Sequence, residues 1–264
     1  ALLSEAEFRA LAEAFELSPQ GNFEGKIHFN LKAFAYWEKK YSSPLQVALK
    51  KLKAFRQKRI PPHLDDKILT AWNGLMIRAM ALAARVLKDD QYLQAARAAS
   101  GFLEKHLIKK EGLLARYREG EARFAARLED YAFWIQALIE LYQKDWDKSY
   151  LDLAQKLQAE QDEKFWDKQE GGYFLTQQVS KDLIYRSKEV LDGALPSASG
   201  VAAHNLLRLQ VYTGESSYQQ KLSLLFKSIV PSLASYPQAM ATWLIALNGM
   251  KESHACRPGE LCLI

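Results

Sequence analysis

The amino-acid sequence predicts an all-α fold, an α/α toroid left incomplete, with short β-hairpins in the loops that join its helical pairs. Amphipathic stretches come in pairs separated by turns of about two to six residues, so paired helices are expected to run antiparallel. One landmark returns ahead of the first helix of each pair: Leu64-Asp65-Asp66, Leu128-Glu129-Asp130 and Leu191-Asp192-Gly193, offset by 64 and then 63 residues. The connectors between pairs run to about 20 residues and have strand character, which favours a closed ring over a tightly joined solenoid. Six pairs at that period need about 380 residues, and the chain has 264.

Taken in order, residues 45–59 space Leu45, Leu49, Leu52 and Phe55 by three and four, which puts an apolar stripe on one helix face and most of a basic cluster on the other. Further amphipathic helices are expected at 69–87, 90–108, 129–144, 148–165, 198–213, 216–234 and 237–249. Turn residues such as Asp89-Asp90 and Thr213-Gly214-Glu215 separate them, giving hairpins near 69–108, 129–165 and 198–234. The connectors at 112–127 and 171–190 alternate apolar and polar residues around a central turn, as β-hairpins do. Residues 1–250 are read as the partial toroid and 251–264 as a tail that holds both cysteines.

Composition excludes several classes. With 48% apolar and 25% charged residues the chain is an ordinary globular one, neither disordered nor a disulfide scaffold. No apolar run reaches the roughly 18 residues of a membrane span, because Arg78 and Arg85 interrupt the greasiest stretch. The net charge of +5 belongs to one decapeptide: residues 50–59 carry six basic and no acidic side chains, leaving 30 basic against 31 acidic elsewhere. That cluster reads as a solvated helix face. Nucleic-acid binding would want interleaved aromatics, and only Phe55 is near, on the apolar stripe. Two cysteines among 264 residues suit a reducing, cytoplasmic setting. Ala1 opens the sequence without a secretory signal, and the missing initiator Met suggests that something upstream is absent.

The chemistry is sought on the rim where the acidic landmarks gather. Asp65, Asp66, Glu129, Asp130 and Asp192 could act as acids, bases or ligands of sugar hydroxyls, since carboxylates in a cleft can be tuned apart by their surroundings. The same residues at helix starts could simply cap free amides. His63, Trp72, Asn73, Tyr131, Lys188 and His204 are the candidate substrate contacts, with Trp72 and Tyr131 as stacking surfaces. His204 reads equally as a satisfied core histidine, and Ser197 reads as an N-cap because PSASG lacks the strand-to-helix elbow of a hydrolase serine. No histidine pair has metal-ligand spacing, no phosphate loop or dinucleotide fingerprint is present, and no cofactor is expected. Cys256 and Cys262 flank a Pro-Gly turn and are either a free tail or a redox pair.

The motifs GNFEG (21–25), PPHLDDKILTAWNGLMI (61–77), LEDYAFWIQALIELY (128–142), FWDKQEGGYFLT (165–176), KEVLDGALPS (188–197) and NLLRL (205–209) resemble, in order and spacing, the YyaL-like or spermatogenesis-associated protein 20-like family. The resemblance runs from Gly21 to Cys262; where the family usually reads PSGNSVA, this chain reads PSASGVA. It implies the C-terminal part of a protein that pairs a thioredoxin-like domain, absent here, with a six-hairpin glycosidase-like toroid similar to N-acylglucosamine 2-epimerases. It also implies two functions. One is a carbohydrate-active domain, epimerase-like or glycosidase-like, with a small sugar as ligand. The other is a non-catalytic module that docks the thioredoxin-like domain and exchanges thiols through Cys256 and Cys262.

Overall fold

The computed structural model describes residues 2–32, 43–177 and 185–252, so Cys256 and Cys262 lie outside the described residues. The chain divides into two compact units, Ala1–Asp65 and Asp66–Ile264.

In the first unit α1 (Glu5–Ala14) starts at a reciprocal cap, where the Ser4 hydroxyl accepts the Glu7 amide and the Glu7 carboxylate accepts the Ser4 amide at 2.8 Å. Helix α2 (Ser43–Arg56) packs on it around Leu11, Ala14, Phe15, Leu45 and Ala48. The apolar stripe of α2 fades toward its end: Leu49 and Leu52 are partly buried and Phe55 is 47% exposed. Apart from Leu52, residues 50–59 are solvent-facing, with Lys51 paired to Glu7 at 2.8 Å.

The second unit opens with β1 (Ile68–Leu69) and the helical pair α3 (Thr70–Leu87) and α4 (Asp90–Leu107). Strands β2 (Ile108–Lys109), β3 (Gly112–Arg118) and β4 (Glu121–Ala125) follow, then the pair α5 (Leu128–Asp145) and α6 (Lys148–Phe165). A third pair, α7 (Ala198–Thr213) and α8 (Ser216–Ser235), leads through a 3-10 turn at Pro237–Ala239 into α9 (Ala241–Glu252). The start of α9 falls after the 237 expected, because Pro237 opens the 3-10 turn and Met240 leaves helical geometry at φ −134°. Left-handed residues Lys88, Trp146 and Gly214 turn the chain at the end of α3, α5 and α7.

Packing sorts the helices into inner and outer sets. Helices α3, α5, α7 and α9 contact one another in that order, and α4, α6 and α8 back the first three. Outer helices bury one stripe, as Leu93, Ala96, Ser100, Leu103 and Leu107 do on α4. Helix α5 is enclosed almost all round, from Leu128 through Leu141, and α7 from Ala198 through Leu209. Such enclosure needs close approach. A Cβ on Gly74 of α3 would stand 2.8 Å from the backbone of Phe133 and Trp134 on α5, and one on Gly200 of α7 would stand 3.0 Å from Thr242 on α9.

The first connector is the expected β-hairpin: β3 and β4 pair antiparallel, with Arg116 opposite Arg123, around a turn at Glu119-Gly120. The centre of the second connector, residues 178–184, lies outside the described residues; on either side of it the Leu175 amide donates to the Ser187 carbonyl, Tyr173 bridges to Trp166, and the Arg186 guanidinium donates to the carbonyls of Thr176 and Lys164.

Candidate functional site

The landmark acids join neighbouring helices. Asp130, 3% exposed, accepts the Ala71 amide of α3 at 3.0 Å and reaches back to the Arg127 amide at 2.8 Å. Asp192 accepts the Ser197 amide before α7 at 2.8 Å and the Thr242 amide of α9 at 2.9 Å. Each carboxylate therefore ties together the starts of two structural elements. Burial, helped by the charge of Glu129, pushes the Asp130 carboxyl up to about 7 against the pull of its amide donors. For Asp192 burial acts the same way, but the Ser197 and Thr242 bonds win and hold it below the usual carboxylate value. Asp66 instead pairs with Arg118 on β3 at 2.7 Å.

Other expected site residues have local roles as well. Tyr131 has no exposed surface; its hydroxyl donates to Glu160 at 2.7 Å and accepts the Leu113 amide at 3.2 Å, so neither ring face is open for stacking. Asn73 donates to the Leu69 carbonyl at 2.8 Å. Lys188 pairs with Asp167 at 2.6 Å and donates to the Gly171 carbonyl. Ser197 is the N-cap of α7, accepting the Gly200 amide at 3.2 Å. Trp72 is 60% exposed, and His63 and Asp65 are exposed in the first unit.

A different set of side chains meets between the inner helices. A cavity of about 200 Å³ is walled by Arg78 and Arg85 of α3, Gln136 and Glu140 of α5, His204 of α7 and Thr242 of α9, with Pro196 at its edge. Glu140, 4% exposed, receives Arg85 at 2.9 Å on one oxygen and Arg208, itself 2% exposed, at 3.1 Å on the other. Arg85 also donates to Gln143 at 2.6 Å, and Gln143 bonds the Tyr212 hydroxyl. The Gln136 amide nitrogen lies 3.3 Å from His204 Nδ1. Burial lowers the Arg78 guanidinium below its usual range; Glu140 opposes that, and Arg208 and Arg85 reinforce it.

Pro196 also walls a rim cavity of about 240 Å³ that Glu129 and Glu189 line, together with Ser197 and Gly193. The two hollows share Pro196 as a wall residue; Glu129 and Glu189 line the rim hollow, and Arg78, His204 and Gln136 line the inner one. Asp66, Asp130 and Asp192 line neither. Among the described residues no group of three or more His, Cys, Asp or Glu side chains is placed to hold a metal ion, and no helix there is long and apolar enough to cross a membrane.

The inner set carries a sequence signal of its own. Gln136, Glu140 and Gln143 repeat at four and three residues within an otherwise apolar helix; Arg78 and Arg85 stand seven apart, and His204 and Arg208 four apart. Polar residues on one line of a fully enclosed helix must face one another or a cavity.

No family model matches. Over 220 residues, 79% of the chain, it is 35% identical to human spermatogenesis-associated protein 20 and 36% identical to the Rattus norvegicus protein of that name. The matched region is 28% of those relatives' length. Among solved structures, cellobiose 2-epimerase from Spirochaeta thermophila superposes with a TM-score of 0.52 at 19% identity, covering 62% of this chain and 43% of that one. A GH76 α-mannanase from Bacteroides thetaiotaomicron gives 0.56 at 14% identity, over 74% and 54%. An inactive α-1,6-mannanase variant from Salegentibacter, in complex with α-1,6-mannotriose, gives 0.52 at 13% identity, over 86% and 69%. The fold of the chain is that of an α/α toroid.

Proposed function

From its relatives and its fold, we propose that this chain is part of a spermatogenesis-associated protein 20-like protein, and that the cavity between the inner helices of its toroid, with the neighbouring rim cavity, forms a carbohydrate site of the epimerase or glycosidase kind. Residues 1–250 would belong to the toroid and 251–264 to a tail. The observation that carries the reading is the set of polar side chains, Arg78, Gln136, Glu140 and His204, that walls the cavity between the inner helices, with Pro196 shared by a rim cavity that Glu129 and Glu189 line.

Each group then has a role. Glu129 and Glu189 would exchange protons with hydroxyls in the rim cavity, and His204, with Nδ1 beside the Gln136 amide, would exchange one with a sugar carbon or oxygen in the inner cavity. Asp130 and Asp192 act by fixing the inner-helix starts that carry these groups. A thioredoxin-like domain is the proposed partner within the longer protein, with Cys256 and Cys262 available to it in a cytoplasmic setting.

The test is calorimetric titration of the whole protein with mono- and disaccharides, with product analysis by NMR. E129Q and H204Q are expected to lower turnover about 10²-fold or more if these groups move protons. Binding without turnover in any of the proteins would leave a binding module. No binding by any sugar would defeat the reading.

A further inference from the structure

The inner cavity has more positive than negative charge. Glu140 divides its two oxygens between Arg85 and Arg208. Arg78 has no hydrogen bond or ion pair among the described residues, although it walls the cavity and is only partly exposed. Its electrostatic neighbours are one carboxylate, already shared, and two more guanidinium groups. Arg208 likewise keeps Nε and Nη2 buried without a hydrogen-bond partner there. Three guanidinium groups thus surround one carboxylate. Holding a partly dehydrated cation beside two others costs free energy that a structural network would avoid by supplying a second acid.

We propose that the cavity completes this set with an oxyanion carried by the ligand, so that the sugar it takes is an acidic one bearing a carboxylate or phosphate. This rests on the carbohydrate reading above. A guanidinium presents paired N–H donors that match two oxygens of a carboxylate or phosphate, which a neutral hydroxyl does not offer. The volume of about 200 Å³ lies below the roughly 300–1,000 Å³ of clefts that take drug-sized ligands, and so suits a single ring. The charge pattern also sets the placement. The oxyanion pairs with Arg78 in the inner cavity and not in the rim cavity, where Glu129 and Glu189 would repel an anion.

The test titrates the full chain with glucuronate, glucose 6-phosphate, glucose and inorganic phosphate at fixed low salt, in the wild type, Arg78→Gln and Arg78→Lys. At least one acidic sugar is expected to bind tenfold or more tighter than glucose. That preference should fall about tenfold in R78Q and less in R78K, which keeps the charge but not the paired donors. Which acidic sugar wins separates a carboxylate from a phosphate ligand. Glucose binding as well as both acidic sugars, or a preference unchanged in R78Q, overturns the proposal and leaves the carbohydrate reading standing. Phosphate binding that depends on Arg78, with no sugar bound, supports the anion site and overturns the carbohydrate reading. No binding by any of the four overturns both.

Discussion

Arg208 on α7 lies 3.1 Å from Glu140 on α5, and neither residue is more than 4% exposed. Glu140 also receives Arg85 from α3, so one carboxylate joins three consecutive inner helices. Removing it takes the acid from the buried Arg208 and from the partly buried Arg85. E140Q is expected to lower stability by about 3–5 kcal/mol, measured by urea denaturation against wild type. A loss under about 1 kcal/mol would show that the pair is hydrated and not enclosed.

Asp130 gives a pH signature. Its carboxyl sits at about 7 in the folded protein against 3.8 when free, so between those values the folded state binds the extra proton and stability falls as pH rises. Above about 7 the effect is complete. The stability gap between wild type and D130N should therefore narrow between pH 5 and pH 8, followed by thermal denaturation in a pH series. A constant gap would contradict the assigned shift.

Asp192 runs the other way. Its pKa is depressed on folding, so its contribution is present above the unfolded value and vanishes as pH falls through the folded one. D192N should cost about 1–2 kcal/mol at pH 7, the usual worth of a strong helix cap, and progressively less below pH 4. A cost that persists at pH 2.5 would mean that packing, and not the carboxylate, holds the loop before α7 to α9.

Gly74 tests the spacing of α3 and α5. A Cβ there meets backbone at 2.8 Å, which cannot rotate away, so G74A is expected to destabilise by about 1–3 kcal/mol despite the better helix propensity of alanine. Equal or greater stability in G74A would show that the two helices can separate freely.

The hairpins were legible because their signal is periodic and local. Leu93, Ala96, Leu103 and Leu107 form the stripe that the spacing demands, and the expected 148–165 and 198–213 are α6 and α7 to the residue. The landmark acids were equally visible, but sequence could not separate chemistry from capping. Asp130 and Asp192 spend their oxygens on amides of Ala71 and Thr242, 59 and 50 positions away, and such pairings depend on which helices become neighbours. Of the inner cluster only His204 was among the expected contacts, because Arg78 and Arg85 read only as interruptions of an apolar stretch. Their meeting with Glu140 needs α3 and α5 side by side.

The central claim is that a sugar is held between the inner helices. Leu82 walls that cavity without a polar role, so Leu82→Trp fills the space and leaves every polar wall residue in place. The most direct measurement is calorimetric binding of the best sugar ligand to the whole protein, to L82W and to W72A, whose side chain is 60% exposed and outside the cavity wall. The expected result is loss of saturable binding in L82W with W72A within about threefold of wild type. Undiminished binding in L82W, with loss in W72A, would place the ligand elsewhere and contradict the account.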